Sequence, residues 1–279
     1  MRVLITGANG QLGTDLALNL SLHHQVLAYG RQQLDVADFS RVVETVRSVK
    51  PDVIIHAAAY TRVDEAESQA DKAFLVNAYG TRNLAVAAEQ TGAKIIYIST
   101  DYVFDGRSCK PYGEFDPVGP LGVYGKSKLA GEKMVKSLTR SYFIVRTSWL
   151  YGKHGQNFVK TILQLAKERN QLKVVDDQTG TPTYTVDLAD FLQKLMLTDK
   201  YGIYHASNQG SCSWYQFARA IAADARLNIE ITPVATQEFP RPAPRPAYSV
   251  LDHMAIRLNG FDQFRHWREA LQAFISDYL

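Results

Sequence analysis

The chain has 279 residues, 46% of them hydrophobic and 21% charged, with a formal net charge of +3. That is ample for an α/β domain carrying a smaller second part. The basic residues are scattered, without a dense run or interleaved aromatics, which excludes a nucleic-acid surface, and no apolar run approaches a membrane span or a signal-peptide core.

Short apolar runs at residues 3–5, 26–29, 53–56, 95–99 and 143–146 are rich in β-branched residues and do not alternate with polar ones. They read as strands buried on both faces. Helical stretches separate them at 12–22, 39–49, 70–90 and 123–138, with Lys50-Pro51-Asp52 and Thr91-Gly92-Ala93 marking turns. Such β-α alternation predicts an α/β fold with a Rossmann-like doubly wound parallel sheet. Past Tyr151-Gly152 the rhythm loosens. Helices are expected at 157–167 and 186–197, a polar loop at 176–184, a proline-dense run at 239–246 and an amphipathic closing helix at 264–278. Residues 1–150 are therefore expected to form a dinucleotide-binding domain. Residues 151–279 would be mainly a smaller substrate-binding part, with some segments returning to the first domain. Cys109 and Cys212 lie far apart and outside any CxxC spacing. They suggest neither a disulfide framework nor a zinc site, and a cytoplasmic protein without a membrane partner is the expectation.

The first strand runs directly into Gly7-Ala8-Asn9-Gly10-Gln11-Leu12-Gly13, which opens the first helix. Glycines at this spacing let the chain turn sharply and approach a pyrophosphate resting on the helix N-terminus. Gly7, Asn9, Gly10, Gln11 and Leu12 are thus candidate cofactor contacts. The second strand should end near the adenosine ribose, where Gly30-Arg31 stands, and an arginine there suits the 2′-phosphate of NADPH. NADH stays open as the alternative. Asp35 and Val36 would border the adenine. Ala57, Ala58, Ala59 and Tyr60, after the third strand, offer small residues beside which a cofactor can lie.

Tyr124 and Lys128 are four apart, hence on one face of a helical turn. A lysine cation should draw the phenol below its usual pKa and fit it for acid-base work beside a hydride donor. Thr100, at the end of the fourth strand, offers a second hydroxyl to the same carbonyl oxygen. Glycine turn, strand-end hydroxyl and YxxxK in this order resemble the extended branch of the short-chain dehydrogenase/reductases.

Within that branch the chain resembles the dTDP-4-dehydrorhamnose reductase family. The phrases that carry the likeness include Gly10-Gln11-Leu12-Gly13, residues 57–67 and residues 99–106. Tyr124-Gly125-Lys126-Ser127-Lys128 and its continuation to Glu132, residues 146–152, residues 176–183 and Arg245-Pro246 extend it over nearly the whole chain. The resemblance implies Thr100, Tyr124 and Lys128 as the catalytic trio, with Ser99, Tyr124 and Lys128 completing the cofactor set. It implies Thr100, Asp101, Tyr102 and Trp149 around a nucleotide-sugar substrate, with Arg245 facing its diphosphate. Sugar-nucleotide dehydratases of the same branch carry an Asp-Glu pair where Asp101-Tyr102 stands here, so elimination of water is not expected.

Two alternatives accompany this reading. One is reduction of another 4-keto sugar nucleotide. The other is a dinucleotide-binding regulatory subunit like that of methionine adenosyltransferase, which resembles these reductases. Some family members dimerise through a magnesium site built from glutamates. Here Asp15 fills the first carboxylate position but Val186 stands at the one after Pro182-Thr183. A hard cation needs several oxygen ligands, so no metal and a monomer are expected.

Overall fold

The computed structural model describes residues 1–279. Its first half runs β1 (Arg2–Thr6), α1 (Gln11–Leu20), β2 (Gln25–Tyr29), α2 (Phe39–Val49), β3 (Val53–His56), α3 (Val63–Ser68) and α4 (Ala70–Phe74). A π-helical turn (Leu75–Gly80), α5 (Thr81–Thr91), β4 (Lys94–Thr100), α6 (Val123–Leu138) and β5 (Tyr142–Thr147) follow. The second half runs β6 (Leu150–Tyr151), α7 (Phe158–Glu168), β7 (Gln171–Val175), β8 (Thr179–Gly180), β9 (Thr183–Tyr184) and α8 (Thr185–Met196). It ends with β10 (Gly202–His205), β11 (Cys212–Ser213), α9 (Trp214–Asp224), β12 (Glu230–Val234), α10 (Met254–Leu258) and α11 (Trp267–Tyr278).

Six parallel strands form the main sheet in the order β10-β5-β4-β3-β1-β2. The absence of alternation in the strand sequences has its cause here, because both faces are covered. On β1, Val3 and Ile5 join Leu12 and Leu16 of α1 and Leu188 and Leu192 of α8 in one core. Leu4 points the other way, toward Val42 and Val46 of α2 and Leu84 of α5. From β1 the chain moves outward to β2 and then returns to place β3 on the other side of β1. The order of the strands therefore reverses between β1 and β3, and a crevice opens beyond their carboxyl ends, where open α/β sheets take their ligands.

A third core belongs to the second half. Val159 and Ile162 of α7, Leu172 and Val174 of β7, Phe217 and Ile221 of α9 and Leu271 and Phe274 of α11 pack there around Tyr151 and Tyr184. The sequence reading overlooked α9, the β7–β12 parallel pair and the sheet's edge strand β10. Segment 176–184, expected as a polar loop, instead contains β8 and β9, and Gly180, Thr183 and Tyr184 in it are buried. The closing helix starts at Trp267 rather than 264, capped by the His266 side chain, which accepts from Arg268 N at 3.2 Å. The helix expected at 70–90 is three segments, because a π turn inserts one residue into the ladder. No helix is long and apolar enough to cross a membrane.

Candidate active site

The glycine turn is built for close approach. Gly7 has φ +72°, and a Cβ there would sit 2.5 Å from Ala58 N, so β1 and the exit of β3 meet without side chains between them. A Cβ on Gly13 would lie 2.3 Å from Gly7 O, which lets α1 start directly under the turn. Helix α1 opens on Gly10 with no side-chain cap. Its first amides and the positive end of its dipole therefore face the crevice, and an anion is the partner they fit. Gln11 also reaches across the cleft: its Nε2 donates to Leu150 O at 3.2 Å, and its Oε1 accepts from Asn157 Nδ2 at 2.6 Å. The turn is thereby tied to the second half of the chain.

The chemical side is held by α6. A Cβ on Gly125 would lie 2.2 Å from Tyr102 O, and one on Gly131 would lie 2.4 Å from Asn77 O. These two glycines let α6 press against the end of β4 and against the π turn. Asn77, fully buried in that turn, accepts from Tyr60 N at 2.8 Å and donates to Tyr60 O at 3.2 Å and Ser127 Oγ at 2.9 Å. Ser127 Oγ in turn donates to Tyr124 O at 2.8 Å. One amide thus fixes the exit of β3 to the helical turn that carries Tyr124. Sequence reading missed Asn77, since nothing marks an asparagine inside a helical stretch as a hub.

Tyr124 is half-buried, with its ring edge-on to Tyr102 at 5.6 Å. Thr100 ends β4, where its Oγ1 accepts from Tyr102 N at 3.2 Å and donates to Asp101 Oδ1 at 3.0 Å. The expected lowering of the phenol by its lysine is not what the structure gives. Burial pushes Tyr124 up to about 12, partly offset by the Thr100 hydroxyl. Burial also pushes Lys128 down to about 7, opposed by the Glu132 carboxylate. Desolvation penalises both charged forms here, and Lys128 Nζ spends its bond on Ile98 O at 2.6 Å while lying 4.1 Å over the Tyr97 ring. The phenol is accordingly a loaded proton donor at neutral pH. Asp101, buried with Oδ2 unpartnered, is pushed up to about 6 by burial, opposed by the Ser249 and Thr100 hydroxyls.

A cleft of about 760 Å³ joins these parts. It is lined by Gly7, Asn9, Gly10, Gln11, Leu12, Gly30, Arg31, Asp35, Val36, Ala57, Ala58, Ala59 and Tyr60, then by Ser99, Thr100, Asp101, Tyr102, Tyr124, Lys128 and Trp149. Arg245 is the exception. Its guanidinium pairs with Asp64 at 3.0 Å and donates to Ala243 O at 2.9 Å, and it is not among the residues that line the cleft. Asp64 also accepts from Ala243 N, so this arginine pins the proline-dense run to α3. Arg31 Nε is 3.2 Å from Asp35, the arginine exposed and the aspartate half-buried. Asp15 is buried beside His154 at 3.5 Å, and no group of three or more His, Cys, Asp or Glu is assembled anywhere. Lys72, Val63, Gln156 and Trp214 also line the cleft without having been foreseen. Trp214 sits far along the chain, and only packing brings it there.

The family described as RmlD substrate binding domain matches residues 1–279. The chain belongs to this family. Among its relatives, the spore coat polysaccharide biosynthesis protein SpsK of Bacillus subtilis is 45% identical, with 99% of this chain and 97% of that protein covered. A dTDP-4-dehydrorhamnose reductase of Aggregatibacter actinomycetemcomitans is also 45% identical, over 97% of each chain. The solved dTDP-4-dehydrorhamnose reductase of Bacillus anthracis, in complex with NADP, superposes with a TM-score of 0.98 at 49% identity, covering 99% of both chains. Membership of the RmlD family thus spans the full fold, both halves included.

Proposed function

We propose that the protein reduces the 4-keto group of dTDP-4-dehydro-β-L-rhamnose to give dTDP-L-rhamnose, with NADPH as the hydride donor. The observation that carries this reading is a single cleft holding both an uncapped, glycine-lined helix N-terminus and the Thr100–Tyr124–Lys128 group, in a chain of this reductase family. The residues present fit the dinucleotide. The cradle at Gly7 and Gly13 is one that a Cβ would fill, and the start of α1 takes the pyrophosphate. Gly30, Arg31, Asp35 and Val36 hold the adenosine end, and Ala57, Ala58, Ala59 and Tyr60 flank the middle. When bound, the reduced nicotinamide supplies a hydride to the carbonyl carbon.

The chain's own groups manage the oxygen. Tyr124, protonated because burial holds it near 12, gives its proton to the carbonyl oxygen as the alkoxide forms, and the Thr100 hydroxyl, turned from Asp101 Oδ1, donates a hydrogen bond to the same atom. The resulting phenolate is the charged form that a protonated Lys128 favours, and solvent restores its proton after the alcohol leaves. Asp101, Tyr102 and Trp149 bound the sugar, and the nucleotide lies in the part formed mainly by residues 151–279. Remote contacts to the nucleotide position the carbonyl, so a free keto sugar reacts poorly. The working state is a cytoplasmic monomer without a metal; light scattering on the purified protein checks its mass, and elemental analysis its metal content.

The deciding experiment supplies NADPH and the keto sugar nucleotide, then follows loss of the reduced nicotinamide and formation of dTDP-L-rhamnose. Purified folded protein that binds NADPH and reduces no 4-keto sugar nucleotide would overturn the reading in favour of a regulatory subunit.

A further inference from the structure

Trp149 has φ +46°. A bulky side chain in the left-handed region is a backbone outlier, and such a conformation persists only where its surroundings impose it. Those surroundings are specific. The indole of Trp149 lies against Gly180, where a Cβ would come within 2.5 Å of the ring. It also stacks on the indole of Trp214 with centroids 3.4 Å apart and planes 7° from parallel. Both supports come from one local unit, because Gly180 of β8 pairs with Cys212 of β11, two residues before Trp214.

Trp214 is itself held firmly. It opens α9 behind a capping box in which Ser213 Oγ accepts from Gln216 N and Ser213 N donates to Gln216 Oε1, each at 3.0 Å. Phe158 packs beside its ring at 4.6 Å. Both indoles are half-buried and both line the cleft.

We propose that Trp214 is a positioning residue for nucleotide-sugar binding: by stacking on Trp149 it fixes that indole, strained backbone included, as the wall of the sugar subsite. The two rings then act as one rigid aromatic platform, and the ordering of Trp149 is completed before substrate arrives. This inference rests on the reductase reading given above, but one of its tests does not.

That first test is optical. Two indoles stacked face to face couple their transitions, so the wild-type protein gives a bisignate indole signal in far-ultraviolet circular dichroism. Trp149→Phe and Trp214→Phe should each abolish it, and its survival in either would overturn the pairing. The second test is kinetic. Trp214→Ala should raise KM for the keto sugar nucleotide about tenfold, the scale of a lost aromatic pair, while KM for NADPH stays put. Trp214→Phe, which keeps a ring in the slot, should recover most of that loss. A sugar-nucleotide KM within about twofold of wild type in folded Trp214→Ala would overturn the proposal, the aromatic pair then being worth little to binding. Failure of the reductase reading looks different: the wild-type protein itself neither binds nor reduces the sugar nucleotide, and the positioning role falls with it.

Discussion

Neutralising Glu132 by Glu132→Gln strikes at stability and chemistry together. Glu132 and Arg146 are only 1% and 3% exposed, and they meet in a two-pronged pair, Nη2 to Oε2 at 2.8 Å and Nε to Oε1 at 2.9 Å. Ser99 Oγ adds a bond to Oε1 at 2.6 Å. Near Arg146, the His205 ring has two carbonyls, Tyr112 O and Asp252 O, at Nδ1, which places the proton there and leaves Nε2 to accept from Arg146 Nη1 at 3.3 Å. Removing the carboxylate charge leaves the guanidinium buried beside a neutral imidazole. Such an uncompensated charge costs about 3–5 kcal/mol, or roughly 5–9 °C in Tm for a chain of this size. Replacing both partners by apolar residues, as in Glu132→Leu with Arg146→Met, should recover part of the loss, because the desolvation cost goes with the pair. The same carboxylate favours the charged form of Lys128. In Glu132→Gln the lysine therefore loses its proton at lower pH, and the alkaline limb of the rate profile moves toward acid. Thermal melts and a pH-rate profile measure the two effects. A variant that melts within about 2 °C of wild type would refute the energetic argument, and an unmoved alkaline limb would refute the coupling to Lys128.

Tyr124→Phe should lower the single-turnover rate of reduction at least about a hundredfold while the dissociation constant for NADPH, read by fluorescence titration, holds. Arg31→Ala should reduce the preference for NADPH over NADH by about fivefold, the ceiling for a solvent-exposed charge contact; an unchanged ratio of kcat/KM values would show that Arg31 does not read the 2′-phosphate. Acid should destabilise the fold. His56 is pushed down to about 3 and His253 to about 4 by burial, and His205 also lies well below its usual value. The unfolded chain then binds protons that the native chain refuses, so this stability is present above the unfolded histidine value and is lost as pH falls below it. Asp101, raised to about 6, works against this, because the native state takes its proton first. The net loss between pH 7 and pH 5 should be roughly 3–5 kcal/mol, and equal unfolding free energies at the two pH values would contradict it.

The features legible in the sequence are those whose signal is local. Helices α2 and α6 and strand β3 begin and end where apolar spacing and turn residues say they should. Asp38 caps α2 through Arg41 N, and the chain leaves that helix at Lys50 in the left-handed region. The glycine turn was legible for the same reason: two glycines between a strand and a helix, with a third in the helix's first turn, have few uses that leave the backbone unstrained. Strand β10 was not legible, since its four residues become a strand only by lying beside β5. Nor was the π turn, whose extra residue leaves the helical pattern almost unchanged.

The expected ionisation of the Tyr124–Lys128 pair failed for a deeper reason. Spacing places Tyr124 and Lys128 on one face, but it says nothing about the solvent around that face. Desolvation is set by Tyr97, Tyr102, Ile98 and the glycines that let α6 close on them. Burial then raised the phenol, where the bare motif argues for lowering it. Nor could spacing show where Arg245 rests, because a guanidinium goes to whichever carboxylate the fold brings near, and here that is Asp64. Motif reasoning thus locates reactive groups well, whereas their charge state has to be derived from packing. So burial above all sets how much of Lys128 is charged at neutral pH, and Glu132, outside the Tyr-Lys motif, opposes it.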